Sequence, residues 1–390
     1  MIGRGLAAIT ALTVIAVACS GSATAPSDQG SIKVGLLVSL TGAGSASAAL
    51  AIQGATVAVA QANAAHLGGK KQLVLVKADD QSSPDAAGRA CSTLVSKDHV
   101  VAILGLESTA AITACSRAIS AANIPYFAAF PSGEDVCLAN VFVFGFTPNQ
   151  QVSPLIDFLA RKQSARTFYI LASDDALARD SFRVAALRIQ DGGGTLVGTS
   201  YRPPGTVQFG SDIAMIAAAK PDVVLEGLVG DDEIAFQKQF RSDRRVAGIK
   251  QASLWLNAAT ARSIGPPAVG IFVAQDFNPV DTSPATQAWL GALLSKYGDG
   301  AIPSSIGAEM YDAALVAVEA IGHAQSTSGE AIATAAAAVS FEGPRGTIQL
   351  LPGEHGYATV ATHIGRVNPA LGIDVMETIN AVPPLACKGD

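Results

Sequence analysis

Apolar runs of strand length alternate with longer helical patterns along almost the whole chain. Ile32 to Leu40, Gln72 to Val76, Val100 to Leu104, Ile124 to Ala129 and Val141 to Phe146 read as strands, and each ends in small or polar residues. Between them, Ala49 to Ala65 and Pro84 to Val95 read as helices, and Ser108-Thr109 opens a third. Parallel neighbours need a crossover long enough to hold a helix, so this alternation predicts βαβ units. The stretch VVAILGLESTAAI (100–112) is the most informative: a buried strand, a sharp turn at Gly105, then a capped helix start. Unpaired backbone N–H groups at such a start, with the positive end of the helix dipole, suit the oxygen of a small ligand. A plain helix cap at Ser108 or Thr109 also explains these residues.

A second series then starts over. Helices are predicted at Val152 to Lys162, Asp175 to Gln190, Ser211 to Ala219 and Asp231 to Phe240. Strands are predicted at Thr167 to Ala172, Thr195 to Tyr201, Pro221 to Glu226, Ala252 to Leu256 and Ile271 to Ala274. Two like halves imply an α/β protein of two lobes facing a cleft, with ligands collecting at the carboxyl edges of the sheets. Helices at Pro284 to Lys296, Ser305 to Ala324 and Glu330 to Val339, then a strand-like tail from Thr347 to Thr378, imply that the chain re-crosses between the lobes.

Composition agrees: 390 residues, 49% hydrophobic and 15% charged, suffice for two domains. With 26 basic against 32 acidic side chains there is no basic footprint, which points away from nucleic acid. Residues 1–25 form a targeting segment: Arg4, an apolar core from Leu6 to Ala18, then Cys19. The core is too short for a permanent membrane helix. The arrangement is similar to a bacterial lipoprotein signal, with Cys19 lipidated after cleavage; simple secretion, with cleavage after Ala18 or Ala25, is the alternative. Residues 20–30 read as flexible, 26–30 being the tether once 1–25 is set aside. Export makes disulfides the expected state of Cys91, Cys115, Cys137 and Cys387. Four cysteines allow three pairings; crossover helices side by side on one sheet face favour Cys91 with Cys115.

Enzyme signatures are weak. Gly42-Ala43-Gly44 imitates a dinucleotide fingerprint but lacks its third glycine and its later acid. There is no G-x-S-x-G and no Cys/His metal cluster, and His66, His99, His323, His355 and His363 are scattered. No catalytic residue, cofactor or metal is expected.

The chain resembles the type I periplasmic substrate-binding proteins of ABC importers, the group of branched-chain amino-acid, short-chain amide and urea receptors. The resemblance is carried by VGLLVSLTG (34–42), the stretch 100–112, GFTPNQQ (145–151), ILASDDALARDS (170–181), AAKPDVVLEGLVGDDEIAFQKQF (218–240), VDTSPATQAW (280–289) and FEGPRGTIQLLPGEHGY (341–357). It implies two doubly wound, Rossmann-like lobes joined by three hinge strands near Thr147 to Gln150, Gln275 to Asn278 and Phe341 to Arg345. Lobe 1 would take 31–147 and 277–340, and lobe 2 would take 148–276 and 341–390. A ligand binding both lobes would pull them together. The implied ligand groups are Ser47, Ser108, Thr109 and the backbone from Ala129 and Phe130 to Pro131 in lobe 1. In lobe 2 they are Asp175, Leu177, the stretch Gly230 to Asp232 including Asp231, and Asn257-Ala258. Serine, aspartate and leucine stand where such receptors often carry tyrosines, and Glu107 adds an acid. The expected cleft is therefore less aromatic and more acidic, suited to a cation or a neutral polar amide. Asp174, Asp175, Asp231 and Asp232 also sit where helix starts favour acids with no ligand involved. Implied partners are a small nitrogen-containing solute (amino acid, amide or urea-like) and the permease and ATPase subunits, with membrane contact only through the lipid. A sensor of the same fold that signals to a regulator is the alternative.

Overall fold

The computed structural model describes residues 30–384 apart from 43, 107, 131–135, 325 and 352–355. The targeting segment, Cys19, most of the tether, Glu107, Pro131 and Cys387 therefore lie outside the described residues. The first half runs β1 (Ile32–Val38), α1 (Ser45–Ala64), β2 (Leu73–Asp79), α2 (Pro84–Ser96), β3 (Ala102–Gly105), α3 (Thr109–Ile119), β4 (Tyr126–Ala128) and β5 (Val141–Val143). The second runs α4 (Pro148–Lys162), β6 (Thr167–Ser173), α5 (Ala176–Asp191), β7 (Thr195–Arg202), α6 (Gly210–Ala219) and β8 (Val223–Gly227). It continues with α7 (Asp231–Ser242), β9 (Lys250–Ser253), α8 (Ala258–Ile264) and β10 (Phe272–Gln275). Then come α9 (Pro284–Tyr297), α10 (Ser305–Ala324), α11 (Gly329–Ala336), β11 (Ser340–Gly343), β12 (Gly346–Gln349), β13 (Gly356–Tyr357), β14 (Val360–Val367) and β15 (Ile373–Val382).

Two sheets result. The first has the order β13-β5-β4-β3-β1-β2 and is parallel throughout. The second has the order β15-β14-β10-β9-β8-β6-β7, parallel except for β14 and β15. Both faces of each sheet are covered, so most central strands read as mainly apolar runs rather than alternating ones, β9 (KQAS) being the exception. On β1, Val34, Leu36 and Val38 face the core shared with α1 and α10, while Leu37 faces the side of α2 and α3. On β6, Phe168 and Ile170 face one core and Tyr169 and Leu171 the other. Helices α1 and α10 approach closely at Gly54, where a Cβ would lie 2.1 Å from Gly307 O.

Cys91 on α2 and Cys115 on α3 form a disulfide with Cα atoms 5.5 Å apart, as the side-by-side placement of those helices predicts. Cys137 is also disulfide-bonded.

The chain passes between the sheets three times. The first passage leads from β5 into α4, which starts at Pro148 rather than Val152. Thr147 and Gln150 form a capping box there, and proline is at home in a first turn. Gln150, fully buried, donates through Nε2 to Ala358 O (2.8 Å) and Val382 O (3.0 Å), and its own carbonyl accepts from the Thr362 hydroxyl. Gln151 donates to Leu254 O and Ala274 O. The second passage leaves β10 through Asp276. The third differs from expectation: 341–345 is no connecting strand but part of the antiparallel hairpin β11–β12, and the passage runs from β13 into β14. Residues after 340 also divide differently. Ile348 and Leu350 join the first core and β13 pairs with β5, so the chain enters the second sheet only at β14. The cause is Arg345 in the hairpin turn. Its guanidinium is fully buried and bonds Asp276 Oδ2 (2.7 Å) in the second passage and Asp312 Oδ2 (2.8 Å) on α10, which fastens the hairpin to the first lobe.

Candidate ligand-binding site

In the first sheet, β2 and β3 lie on opposite sides of β1, so a crevice opens at the carboxyl ends of β1 and β3. A cavity of about 180 Å³ occupies it. Ser47 from the first turn of α1, Ser108 before α3 and Phe130 beyond β4 all line it, so three of the expected ligand residues meet there. Ser108 is also the N-cap of α3: its hydroxyl accepts from Ala111 N at 3.4 Å, so the capping role and the cavity position coincide. Thr109 opens α3 beside it. Ala129 is fully buried, its N–H bonded to Gly105 O at 2.8 Å.

The sequence reading missed the contribution of β2. Asp80, Ser82 and Ser83 line the same cavity. The available signal was a strand ending in Asp79-Asp80 just before Ser82-Ser83-Pro84, a helix start with small polar groups. Asp80 accepts from Ser82 N (2.8 Å). Asp79 accepts from the hydroxyl of Thr41 (2.7 Å) and from the N–H groups of Gln81 and Thr41, and these bonds, the Thr41 hydroxyl first, hold its carboxyl below the usual pKa. Beneath the crevice the Tyr126 hydroxyl is buried and bonds to nothing among the described residues; burial, then the charge of Asp80, pushes its pKa up. Gly105 is required beside it, because a Cβ there would lie 1.8 Å from the Tyr126 oxygen.

The second-lobe candidates do not line this cavity. They stand at the carboxyl edge of the second sheet, where β8 and β7 flank β6. Asp175 caps α5 by accepting from Ala178 N (2.9 Å), with Leu177 in the turn that follows. Asp231 begins α7 and is exposed, whereas its neighbour Asp232 is buried and accepts from Gly205 N (2.9 Å). Asn257 accepts from Thr260 N (3.0 Å) at the start of α8. All three polar side chains therefore sit at helix starts, the placement that capping alone also favours. Asp174 pairs with Arg179 at 2.6 Å, which lowers the aspartate's pKa, and the Arg179 guanidinium lies 4.4 Å from the centre of the Tyr201 ring. Among the described residues no group of three His, Cys, Asp or Glu could hold a metal ion, and no helix is long and apolar enough to cross a membrane.

Comparison with known proteins gives the arrangement a context. The chain is 23% identical over 355 residues to the Leu/Ile/Val-binding protein homolog 7 of Brucella abortus, covering 86% of each chain. An ABC transporter substrate-binding protein from Sphaerobacter thermophilus matches with TM-score 0.83 and 21% identity, over 91% of this chain and all of that one. An R. palustris solute-binding protein in complex with benzoate matches with TM-score 0.76 and 22% identity, over 92% and 98%. LivJ of Streptococcus pneumoniae in complex with isoleucine matches with TM-score 0.76 and 19% identity, over 90% and 100%. These structural likenesses establish the two-lobed fold. The family model described as "Periplasmic binding protein" matches residues 31–370, and the chain belongs to that family.

Proposed function

We propose that this protein is an exported solute receptor of an ABC transporter. It captures a small polar, nitrogen-containing solute (an amino acid, an amide or a urea-like molecule) between its lobes and delivers it unchanged to a permease driven by an ATPase. One observation carries the reading: the crevice at the carboxyl ends of β1 and β3 gathers Ser47, Ser108 and Phe130 around a cavity at a helix start. Hydroxyls and backbone N–H groups there bind the solute's oxygen. Thr109 completes the first wall, from which the fully buried Ala129 drops out, and Asp175, Leu177, Asp231 and Asn257 supply the second when the lobes close. Closure follows from binding, since contacts with both walls exist only in the closed form. A micromolar complex needs roughly −8 kcal/mol. About three or four charge-assisted hydrogen bonds of ~1.5–3 kcal/mol each reach that after ordering costs. Cys19 carries the lipid that keeps the receptor at the membrane.

The test is a thermal-shift screen of amides, urea, amino acids and polyamines, followed by calorimetry on each hit, since a binder raises the melting temperature by mass action. Ser108→Ala and Asp231→Ala must weaken a hit; unchanged affinity in both removes the site assignment. Benzoate belongs in the panel because Phe130 lines the cavity and one matched structure holds benzoate. A hit with benzoate alone replaces the nitrogen-containing class by aromatic acids.

A further inference from the structure

At the opposite end of the second lobe, where its parallel strands begin, a cavity of about 190 Å³ opens between the end of α4 and the turns leading into β9 and β10. That is room for several waters at roughly 30 Å³ each. Its charged lining is Arg241, Lys250 and Arg366, and no carboxylate lines it among the described residues. Seven arginines elsewhere in the described chain are ion-paired with an aspartate or glutamate.

Arg241 instead donates to Pro267 O (2.9 Å) and Val269 O (3.0 Å), and Arg366 to Gly270 O (3.2 Å). The Arg366 guanidinium also lies 5.3 Å from the centre of the Phe272 ring, and Lys250 Nζ reaches Gln163 O at 3.4 Å. Carbonyls hold the cationic heads in place, and Asp222, the carboxylate that feels the charge of Lys250, lies outside the cavity lining. Burial lowers the pKa of Arg241, and the like charge of Arg366 adds to that while Glu226 opposes it. The back of the cavity is Gln251, 1% exposed, whose Nε2 donates to Gln237 Oε1 (2.8 Å) and whose Oε1 accepts no hydrogen bond among the described residues. Three fixed cations suit an oxyanion, and a buried unpaired acceptor suits an oxyanion that still carries a proton. Phosphate and its monoesters meet both conditions near neutral pH, whereas sulfate meets only the first.

We propose that this cavity is a second binding site, for a phosphate-bearing anion, on the face of the second lobe away from the cleft. The same chemistry reaches it from free phosphate or from the phosphomonoester headgroup of phosphatidic acid. The test titrates the full chain with sodium phosphate, sodium sulfate and sodium chloride at matched ionic strength, by calorimetry and thermal shift. Phosphate should bind one to one and sulfate at least tenfold more weakly. Arg241→Gln combined with Arg366→Gln, and separately Lys250→Gln, should each weaken phosphate at least tenfold, while Arg161→Gln binds as the parent does. A flotation arm with phosphatidic acid against phosphatidylcholine vesicles separates the sources. Capture by phosphatidic acid vesicles, lost in the double variant, assigns the headgroup, and heat from inorganic phosphate assigns the free anion. The proposal is overturned if phosphate acts no differently from chloride and neither vesicle captures the protein. Sulfate binding as tightly as phosphate overturns it too, as does full phosphate affinity in the folded variants.

Discussion

Arg345 joins three parts of the chain, so replacing it with methionine is the most informative perturbation of the lobe junction. The substitution keeps an unbranched side chain and removes the charge, leaving Asp276 (2% exposed) and Asp312 (0% exposed) buried without their shared partner. Removing one member of a buried pair costs about 3–5 kcal/mol, since the remaining charge is left uncompensated. For a unit of lobe size each kcal/mol moves the melting temperature by about 2–4 °C, so the expected loss is roughly 6–20 °C. The loss should depend on pH with a definite sign. Burial already pushes the Asp312 pKa up to about 7, against the charge of Arg345 and its hydrogen bond. A carboxyl raised in the folded state binds more protons there than in the unfolded chain, so its contribution falls as pH rises from its ordinary range through the folded value. Without Arg345 the folded value rises further, and the deficit should be larger at pH 8 than at pH 5. Differential scanning calorimetry at both pH values measures this. Asp276→Asn and Asp312→Asn added to the methionine variant should recover most of the loss, because neutral groups need no cation. A loss under about 2 °C, or one equal at pH 5 and pH 8, would refute the reasoning.

Further expectations concern other sites. Gly105→Ala places a methyl 1.8 Å from a fully buried tyrosine oxygen and should cost about 1–3 kcal/mol or more by overpacking, read as a lower urea midpoint at unchanged slope. Replacing both Cys91 and Cys115 by serine reopens a loop with a sequence separation of 24 and should cost about 3 kcal/mol, with a reductant producing a larger loss in the parent because it also opens the Cys137 disulfide. Glu226 and Glu233 share the amide of Gln237 inside the second lobe, and burial raises both carboxyls, Glu226 further because of the Glu233 charge. Raised acids make stability decline from mildly acidic toward alkaline pH, so Glu233→Gln should flatten the change in melting temperature between pH 5 and pH 8.

Much of this architecture is legible along the chain because its causes are local. β1, β3, β6 and β8 are buried on both faces, so each is written as a mainly apolar run, with Lys33 in β1 and Glu226 in β8 as the charged exceptions. The Cys91–Cys115 pairing follows from two successive crossover helices sharing a sheet face. The hairpin β11–β12 and the two-residue β13 are harder to read: FEGPRGTIQL has no period long enough to show, and a strand of two residues has no period at all. Arg345 looks like a turn residue between Pro344 and Gly346, since its partners lie 33 and 69 positions away. Half of the candidate site has the same character. Ser108 is readable from its strand-turn-helix setting, whereas Asp80 and Ser82 reach the cavity only because β2 lies beside β1 in the sheet.

The two glutamines that follow Asn149 give the junction its mechanics. Gln150 grips the third passage and the end of β15, while Gln151 grips Leu254 and the last strand before the second passage. The first and third linkers are thus clasped at one helix end, with the strand that feeds the second linker held beside them. Such shared anchoring is expected to act as one axle, leaving a single swinging coordinate for the lobes.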